Sequence, residues 1–146
     1  MHPRHLVAAG LFLISPQGRF LLVQTFNRIG AGLILAGGMV EDNESPATAA
    51  SREVAEEVGL RVKTGRLLAV EHRAKVDGRP SSLHFVFTAE DTVDEDAVLE
   101  LQPEEIAETH WVHRDQVAQL HGPAGRPLMH AALAALDSGV PGYLET

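Results

Sequence analysis

The first third of the chain carries two apolar runs separated by a turn signal. Residues 6–14 and 20–24 are rich in aliphatic and aromatic side chains, as buried strands are. Between them, Pro16 and Gly18 take the second and fourth positions of a four-residue turn, the arrangement that a type I turn favours. The pattern therefore predicts two strands joined as a hairpin.

A third apolar run is followed by a helix whose two ends are marked. Residues 33–36 stop at a pair of glycines, which predicts a strand that opens into a loop. In residues 46–58, Ser45 is suited to cap the first free amides and Pro46 fits the first helical position. Gly59 suits the left-handed backbone that ends a last helical turn. The sequence thus predicts a helix with both of its boundaries.

The second half of the chain predicts three more strands and two helical segments. An Asp77-Gly78 dipeptide, suited to a tight hairpin turn, separates the first two of these strands, which we expect to pair antiparallel. The predicted elements are strands at residues 66–75, 83–88 and 106–112, an acidic loop at 90–100, and helices at 114–120 and 127–137. This order predicts an α/β fold of the α+β kind, a mixed sheet mostly joined by hairpins with helices against its faces.

Length and composition restrict the organisation and the chemistry. At 146 residues, with 45% hydrophobic and 22% charged residues, the chain predicts a single globular domain over residues 1–146. It has no cysteine, so disulfides, thiolate metal sites and cysteine nucleophiles are excluded. The net charge of −8 argues against binding nucleic acid or a membrane surface through bulk electrostatics. A small anionic substrate would therefore need metal ions.

One segment has the length of a signal-peptide hydrophobic region. Residues 6–14 follow Arg4, but no small-residue cleavage site comes after them, and the next residues form the turn described above. No apolar stretch approaches the roughly 20 residues that span a bilayer. We therefore expect a buried strand here and a cytoplasmic protein.

The segment from Gly38 to Leu60 contains six carboxylates and a single basic residue, Arg52. At roughly 100° per residue, Glu53, Glu56 and Glu57 fan over one arc of the predicted helix, beside its apolar stripe. Glu57 borders that stripe, so an unpaired charge there is costly and a cation would relieve the cost. The alternative is a solvated acidic face, and spacing alone does not decide between the two.

The whole segment resembles the Nudix box. That motif reads Gly, five residues, Glu, seven residues, Arg-Glu-aliphatic, one residue, Glu-Glu, one residue, Gly-aliphatic. Every fixed position matches, at Gly38, Glu44, Arg52, Glu53, Val54, Glu56, Glu57, Gly59 and Leu60. The resemblance implies a Nudix-like α/β/α sandwich in which the box forms a loop-helix-loop.

The resemblance also implies a reaction. It predicts a Mg²⁺-dependent pyrophosphohydrolase, with Mn²⁺ as a substitute, in which water attacks phosphorus in the diphosphate of a nucleoside diphosphate derivative. Nucleotide sugars, ADP-ribose, dinucleotides and nucleoside triphosphates are all candidate substrates, because a fold does not choose among them. The alternatives are a non-hydrolytic reaction on a diphosphate and a non-catalytic module that senses nucleotide metabolites. Nudix relatives are often homodimers, so a homodimer is one expected assembly.

The resemblance assigns roles to single residues of the box. Glu53, Glu56 and Glu57 are expected to bind the metal, with help from the backbone carbonyl of Gly37 or Gly38. Arg52 is expected to orient one of these carboxylates, and Glu44 to support the loop and helix electrostatically. Together, Glu53, Arg52 and Glu44 form the predicted catalytic set.

The general base and the substrate contacts are left open. Glu53 is the favoured base, and the alternatives are three glutamates before and within the Trp111 strand, namely Glu104, Glu105 and Glu108. Arg28, before the box, is the candidate for substrate phosphate, with His72, Arg73 and Lys75 as further basic residues. Trp111 is either a stacking residue for a base or a packing residue of the sheet.

Two positions depart from the usual pattern. Ala36 stands where many relatives have Pro. The loss of Pro loosens the predicted loop, but both glycines are kept. Asn43 stands where relatives often have Gly, and Asn is the next most tolerant residue of a left-handed backbone. We therefore expect the turn to survive.

Overall fold

The computed structural model describes residues 2–146, which fold into seven strands and three α-helices. The strands are β1 (Leu6–Phe12), β2 (Phe20–Thr25), β3 (Ala36–Met39), β4 (Thr64–Arg73), β5 (Ser82–Ala89), β6 (Ile106–Val112) and β7 (Gly142–Glu145). The helices are α1 (Pro46–Val58), α2 (Val117–Leu120) and α3 (Arg126–Ser138), and 3-10 turns lie at Phe26–Arg28, Arg114–Gln116 and Pro123–Gly125.

Five strands form a mixed sheet in the order β3-β1-β5-β4-β7, and β2 pairs with β6 in a second sheet. In the larger sheet β1 runs parallel to β5 and β4 parallel to β7, while the other neighbours are antiparallel. The predicted mixed sheet is confirmed.

Helices cover both faces of the larger sheet, as alternation along β1 shows. Leu11 belongs to one buried cluster with Val54 of α1, whereas Phe12, the next residue, belongs to a second cluster with Met129 of α3. Successive side chains of a strand point to opposite faces, so one strand supplies both cores. The α/β/α arrangement implied by the box is confirmed.

The predicted hairpin between the first two strands is wrong beyond its turn. The amide of Ser15 donates to the Arg19 carbonyl at 2.8 Å, and the amide of Leu21 to the Leu13 carbonyl at 3.0 Å. Beyond these bonds β1 and β2 separate into different sheets. Turn residues specify a local reversal, but both edges of β1 are taken by β3 and β5. Since β4 and β5 form the one long hairpin of residues 2–146, the expectation of mostly hairpin connections is also wrong.

The third apolar run predicts a strand at residues 33–36, about three residues before the one in the structure. The strand is Ala36–Met39, so Gly37 and Gly38 lie inside it, opposite Gly10 and Ala9 of β1. A side chain on Gly37 would collide with the carbonyl oxygen of Ala9. The glycines therefore permit close approach of two backbones, which the sequence alone does not distinguish from a loop.

Other elements match their predictions closely. Helix α1 has the predicted bounds: its Thr48 amide donates to the Ser45 hydroxyl at 3.1 Å, and Gly59 ends it with a φ of 75°. Strand β6 has its predicted bounds too, and the acidic loop contains neither helix nor strand. The segment predicted as a helix at 114–120 divides into a 3-10 turn and α2.

The sequence does not predict strand β7, because four residues at a sheet edge are too few for a periodicity. No helix within residues 2–146 is long and apolar enough to cross a membrane.

Asn43 tests the turn that precedes α1. Its φ of 60° makes it the one non-glycine residue of positive φ in residues 2–146, as its substitution for Gly led us to expect. We predict that Asn43→Ala lowers the free energy of unfolding by about 1 kcal/mol, because a Cβ without a compensating polar group disfavours this backbone. Asn43→Gly, the matched control, should keep the free energy of unfolding within a few tenths of a kcal/mol of that of the unsubstituted protein in urea titrations. Equal effects of the two variants would show that the turn is not strained.

Candidate active site

Arg52 connects the helix, the preceding loop and strand β3. Its Nε and Nη2 donate to the two carboxylate oxygens of Glu44 at 2.7 and 3.0 Å, and Nη2 also donates to the Met39 carbonyl at 3.0 Å. Its Nη1 donates to Glu53 at 3.0 Å and to Glu56 at 3.1 Å. The hydrogen bond from Arg52 lowers the pKa of Glu44, and these carboxylates keep the guanidinium charged by raising its pKa. Arg52 and Glu44 therefore hold the site's framework together.

Glu57 is buried, as its place beside the apolar stripe led us to expect. Its side chain lies in the interior with 2% of the residue exposed, and its Oε1 accepts a hydrogen bond from the Gly37 amide at 2.7 Å. Burial raises the pKa of Glu57 to about 8, despite the opposing hydrogen bond from Gly37, and the nearby charges of Glu53 and Glu105 raise it further. Ionised Glu57 is therefore a costly charge in need of a positive partner.

Glu53 lies between Arg52 and the glycine pair. Burial raises its pKa, and the hydrogen bond from Arg52 works in the opposite direction. Its carboxylate rests against Gly38 so closely that a Cβ there would lie 2.6 Å from Oε1. Gly38 thus makes room for a carboxylate, whereas Gly37 makes room for the backbone of β1.

A cleft of about 480 Å³ opens over these carboxylates, and we name it the acidic cleft. Its ionisable lining residues are Arg28, Glu53, Glu57, Glu104 and Glu105. The glycine pair forms part of its wall, and the 3-10 turn after β2 contributes Phe26 and Asn27. The fold therefore brings Arg28 and two of the candidate bases beside the predicted metal ligands.

Other predicted residues lie outside the lining of this cleft. Glu56 is half-exposed and bound to Arg52. Glu108 is exposed and pairs with His110 at 2.9 Å, so its side chain is engaged elsewhere. Trp111 packs against the buried cluster that contains α1, which is the packing alternative.

In residues 2–146 no three His, Asp or Glu side chains stand in an arrangement ready to hold a metal ion. The hydrogen bonds explain this, because Arg52 holds Glu53 and Glu56 while the Gly37 amide holds Glu57. All of the nearby side-chain candidates are oxygen donors, the type that Mg²⁺ prefers. Sequence reasoning missed Phe26 and Asn27, which carry no motif and reach the cleft only because β2 ends there.

Comparison with known proteins places this site in a family. A sequence model of the NUDIX domain matches residues 4–132, most of the chain. The chain belongs to the Nudix hydrolase family. This membership agrees with the family that the box predicted.

One relative is similar to this chain in sequence, and two solved structures are similar to it in fold. Diphosphoinositol polyphosphate phosphohydrolase 2 of Rattus norvegicus is 43% identical over 63 residues, which are 43% of this chain and 35% of that protein's length. The solution structure of the E. coli ORF135 protein is 26% identical, with a TM-score of 0.74 over 93% of this Nudix chain and 94% of that one. An ADP-ribose pyrophosphatase from Streptococcus suis shares the fold at 19% identity, with a TM-score of 0.67 over 98% and 100% of the two chains.

The two glycines of this Nudix site provide a matched pair of variants. We predict that Gly38→Ala keeps stability within about 1 kcal/mol, because the Glu53 carboxylate is the flexible end of a side chain and can shift. That shift should lower turnover by about 100-fold. Gly37→Ala should instead destabilise the fold by about 1–3 kcal/mol, because it meets backbone. Thermal unfolding and turnover measured on both proteins test this, and unchanged turnover in Gly38→Ala would contradict it.

Proposed function

We propose that this Nudix hydrolase is a Mg²⁺-dependent pyrophosphohydrolase that cleaves the diphosphate of a nucleoside diphosphate linked to another moiety. The observation that carries the proposal is the acidic cleft, where the buried Glu57 and the half-buried Glu53 face the same space as Arg28. A diphosphate brings negative charge to carboxylates that are already crowded. A cation between them is therefore required.

The donor set fits a hard divalent cation. Glu53 and Glu57 would hold it, with Glu56 from the next position of the helix and the backbone carbonyl of Gly38 as further oxygen donors. The high pKa of Glu57, which burial causes, supports this choice because an ionised carboxylate there lacks a cationic partner of its own. When bound, Mg²⁺ or Mn²⁺ would neutralise the diphosphate and make an attacking water more acidic.

The protein's own residues then supply position and a base. Water forms a new bond to one phosphorus of the diphosphate, the bond from that phosphorus to the bridging oxygen breaks, and a proton passes from water to a carboxylate. Glu53 is our choice for that carboxylate, since Arg52 fixes its orientation at 3.0 Å. Glu105 is the second choice, because it lines the same cleft and its charge acts on Glu53. Glu44 keeps Arg52 in place and touches no substrate.

The substrate belongs to a class whose members share one bond. The relatives are named for ADP-ribose and for diphosphoinositol polyphosphate, two different groups on a phosphoric anhydride. Intact box carboxylates favour catalysis over a metabolite-sensing role. A cytoplasmic location and assembly as a homodimer stay predictions from the sequence.

A substrate panel tests the reaction. The protein is incubated with Mg²⁺ and nucleotide sugars, ADP-ribose, dinucleotides and nucleoside triphosphates in oxygen-18 water, and products are identified by mass. We expect the label on a phosphate product, because water attacks phosphorus. Excess chelator should abolish turnover. Turnover by metal-stripped protein, or label on a sugar carbon, would refute the proposal.

Glu57→Gln separates a metal ligand from a structural residue. Gln still accepts the hydrogen bond from Gly37 but carries no charge, so we expect turnover to fall by at least about 100-fold. Metal-free stability should hold or rise. The sign follows from linkage. The pKa of Glu57 is about 8 in the folded protein, above its ordinary value of 4.5, so the native state binds more protons and stability falls as pH rises from about 4.5 to about 8. The variant should lose that decline.

Glu90→Gln is the matched control, since Glu90 is an exposed residue outside the cleft. It removes the same charge and should change neither turnover nor the pH dependence of unfolding. Unimpaired turnover in Glu57→Gln would show that Glu57 belongs to a solvated face. A large fall in its melting temperature without metal would instead show a structural role.

A further inference from the structure

A second cavity lies behind the glycine pair, between the large sheet and the start of α3. It measures about 250 Å³, and we name it the inner cavity. Its ionisable lining residues are Arg28, Arg73, His84 and His121, and no carboxylate lines it. The remaining lining residues are apolar or glycine. In a chain of net charge −8, a wall whose ionisable groups are all basic is a selective environment.

Arg28 is the charge in this cavity that no acid matches. It makes no ion pair within residues 2–146, and its Nε is buried without a hydrogen-bond partner there. A guanidinium without a carboxylate partner is stabilised by an anion that binds against it, through charge-assisted hydrogen bonds. Arg28 also lines the acidic cleft, so it lies at the junction of the two spaces.

The other bases are already engaged or neutral. The Nε of Arg73 pairs with buried Glu71 at 2.7 Å, and His84 shares a hydrogen bond with Ser82 at 3.0 Å. Burial lowers the pKa of His84, and the charge of Arg73 lowers it further. Burial also lowers the pKa of His121, with contributions from Arg28 and Arg73. The cavity is therefore already positive without a proton on either imidazole.

We propose that the inner cavity binds a phosphoryl group that the substrate carries in addition to the diphosphate that is cleaved. Arg28 donates to this group through its guanidinium, and His84 and His121 offer two further ring nitrogens. A neutral heteroaromatic ring would fill the volume but would leave the Arg28 charge unmatched, so an anion fits better. The substrate class becomes a diphosphate with a separate phosphate monoester. This inference adds to the proposed function and rests on it, because the group in the inner cavity is taken to belong to the molecule that the proposed reaction cleaves.

Phosphate binding is measured first, without catalysis. Metal-free protein is titrated with inorganic phosphate while the imidazole NMR signals of His84 and His121 are followed. Binding should shift both signals and raise both pKa values, because a nearby anion favours the protonated ring. Arg28→Gln should abolish the shifts, Arg28→Lys should retain part of them, and the exposed Arg61→Gln should retain them fully. No shift with phosphate would overturn the proposal, and shifts caused by adenosine instead would show a base-binding cavity.

Turnover then tests the substrate class. ADP-ribose is compared with its 2′-phosphate, two compounds that differ by one monoester. We expect kcat/KM to be about tenfold or more higher for the phosphorylated compound. Arg28→Gln should lower kcat/KM for that compound by about tenfold more than for ADP-ribose, whereas equal losses would place Arg28 on the cleaved diphosphate and overturn the proposal. If neither compound is hydrolysed, the proposed function fails on these substrates, and the phosphate titration alone decides whether the inner cavity binds a phosphoryl group.

Discussion

The bidentate ion pair between Arg52 and Glu44 is the interaction on which the site depends. Six carboxylates share the segment from Gly38 to Leu60 with one cation, so without that cation their repulsion would open the loop. Arg52 neutralises part of this charge and also binds the Met39 carbonyl, which fixes strand β3 against the helix. The same guanidinium therefore sets the distance between the helix carboxylates and the backbone that faces them. Its large effect comes from geometry, since the pair is partly shielded and five acceptor oxygens from four residues surround one planar group.

Much of this arrangement could be predicted from the sequence, because it is written locally. A cap, a first-turn Pro and a terminal Gly specify α1 to the residue, and helical spacing alone puts Glu57 beside the apolar stripe. The box motif then identifies the family. These inferences hold because they depend on contacts within one or two turns of the chain. The pairing of β1 could not be predicted in this way, because its partners β3 and β5 are fixed by packing across the whole chain.

Some site residues could not be predicted from the sequence for the same reason. His84 and His121 reach the inner cavity from β5 and from the segment after α2, and neither carries a motif. The Gly37-Gly38 pair is typical of a loop in the sequence, yet both glycines lie in strand β3. Their lack of a side chain serves two different neighbours, the Ala9 carbonyl and the Glu53 carboxylate, and only the folded structure distinguishes those uses. Arg28 was a candidate from the start, but its unpartnered Nε becomes visible only when burial is known.

Strand β3 gives these observations a common arrangement. The glycine pair lines both cavities, with carboxylates on one side and bases on the other, and Arg28 lines both as well. The glycine pair contributes no side chain to either space, and Arg28 is the charged residue that lines both. A ligand that needs a cation at one end and presents an anion at the other would match both spaces at once, and a ligand with only one of these features would leave part of the site unsatisfied.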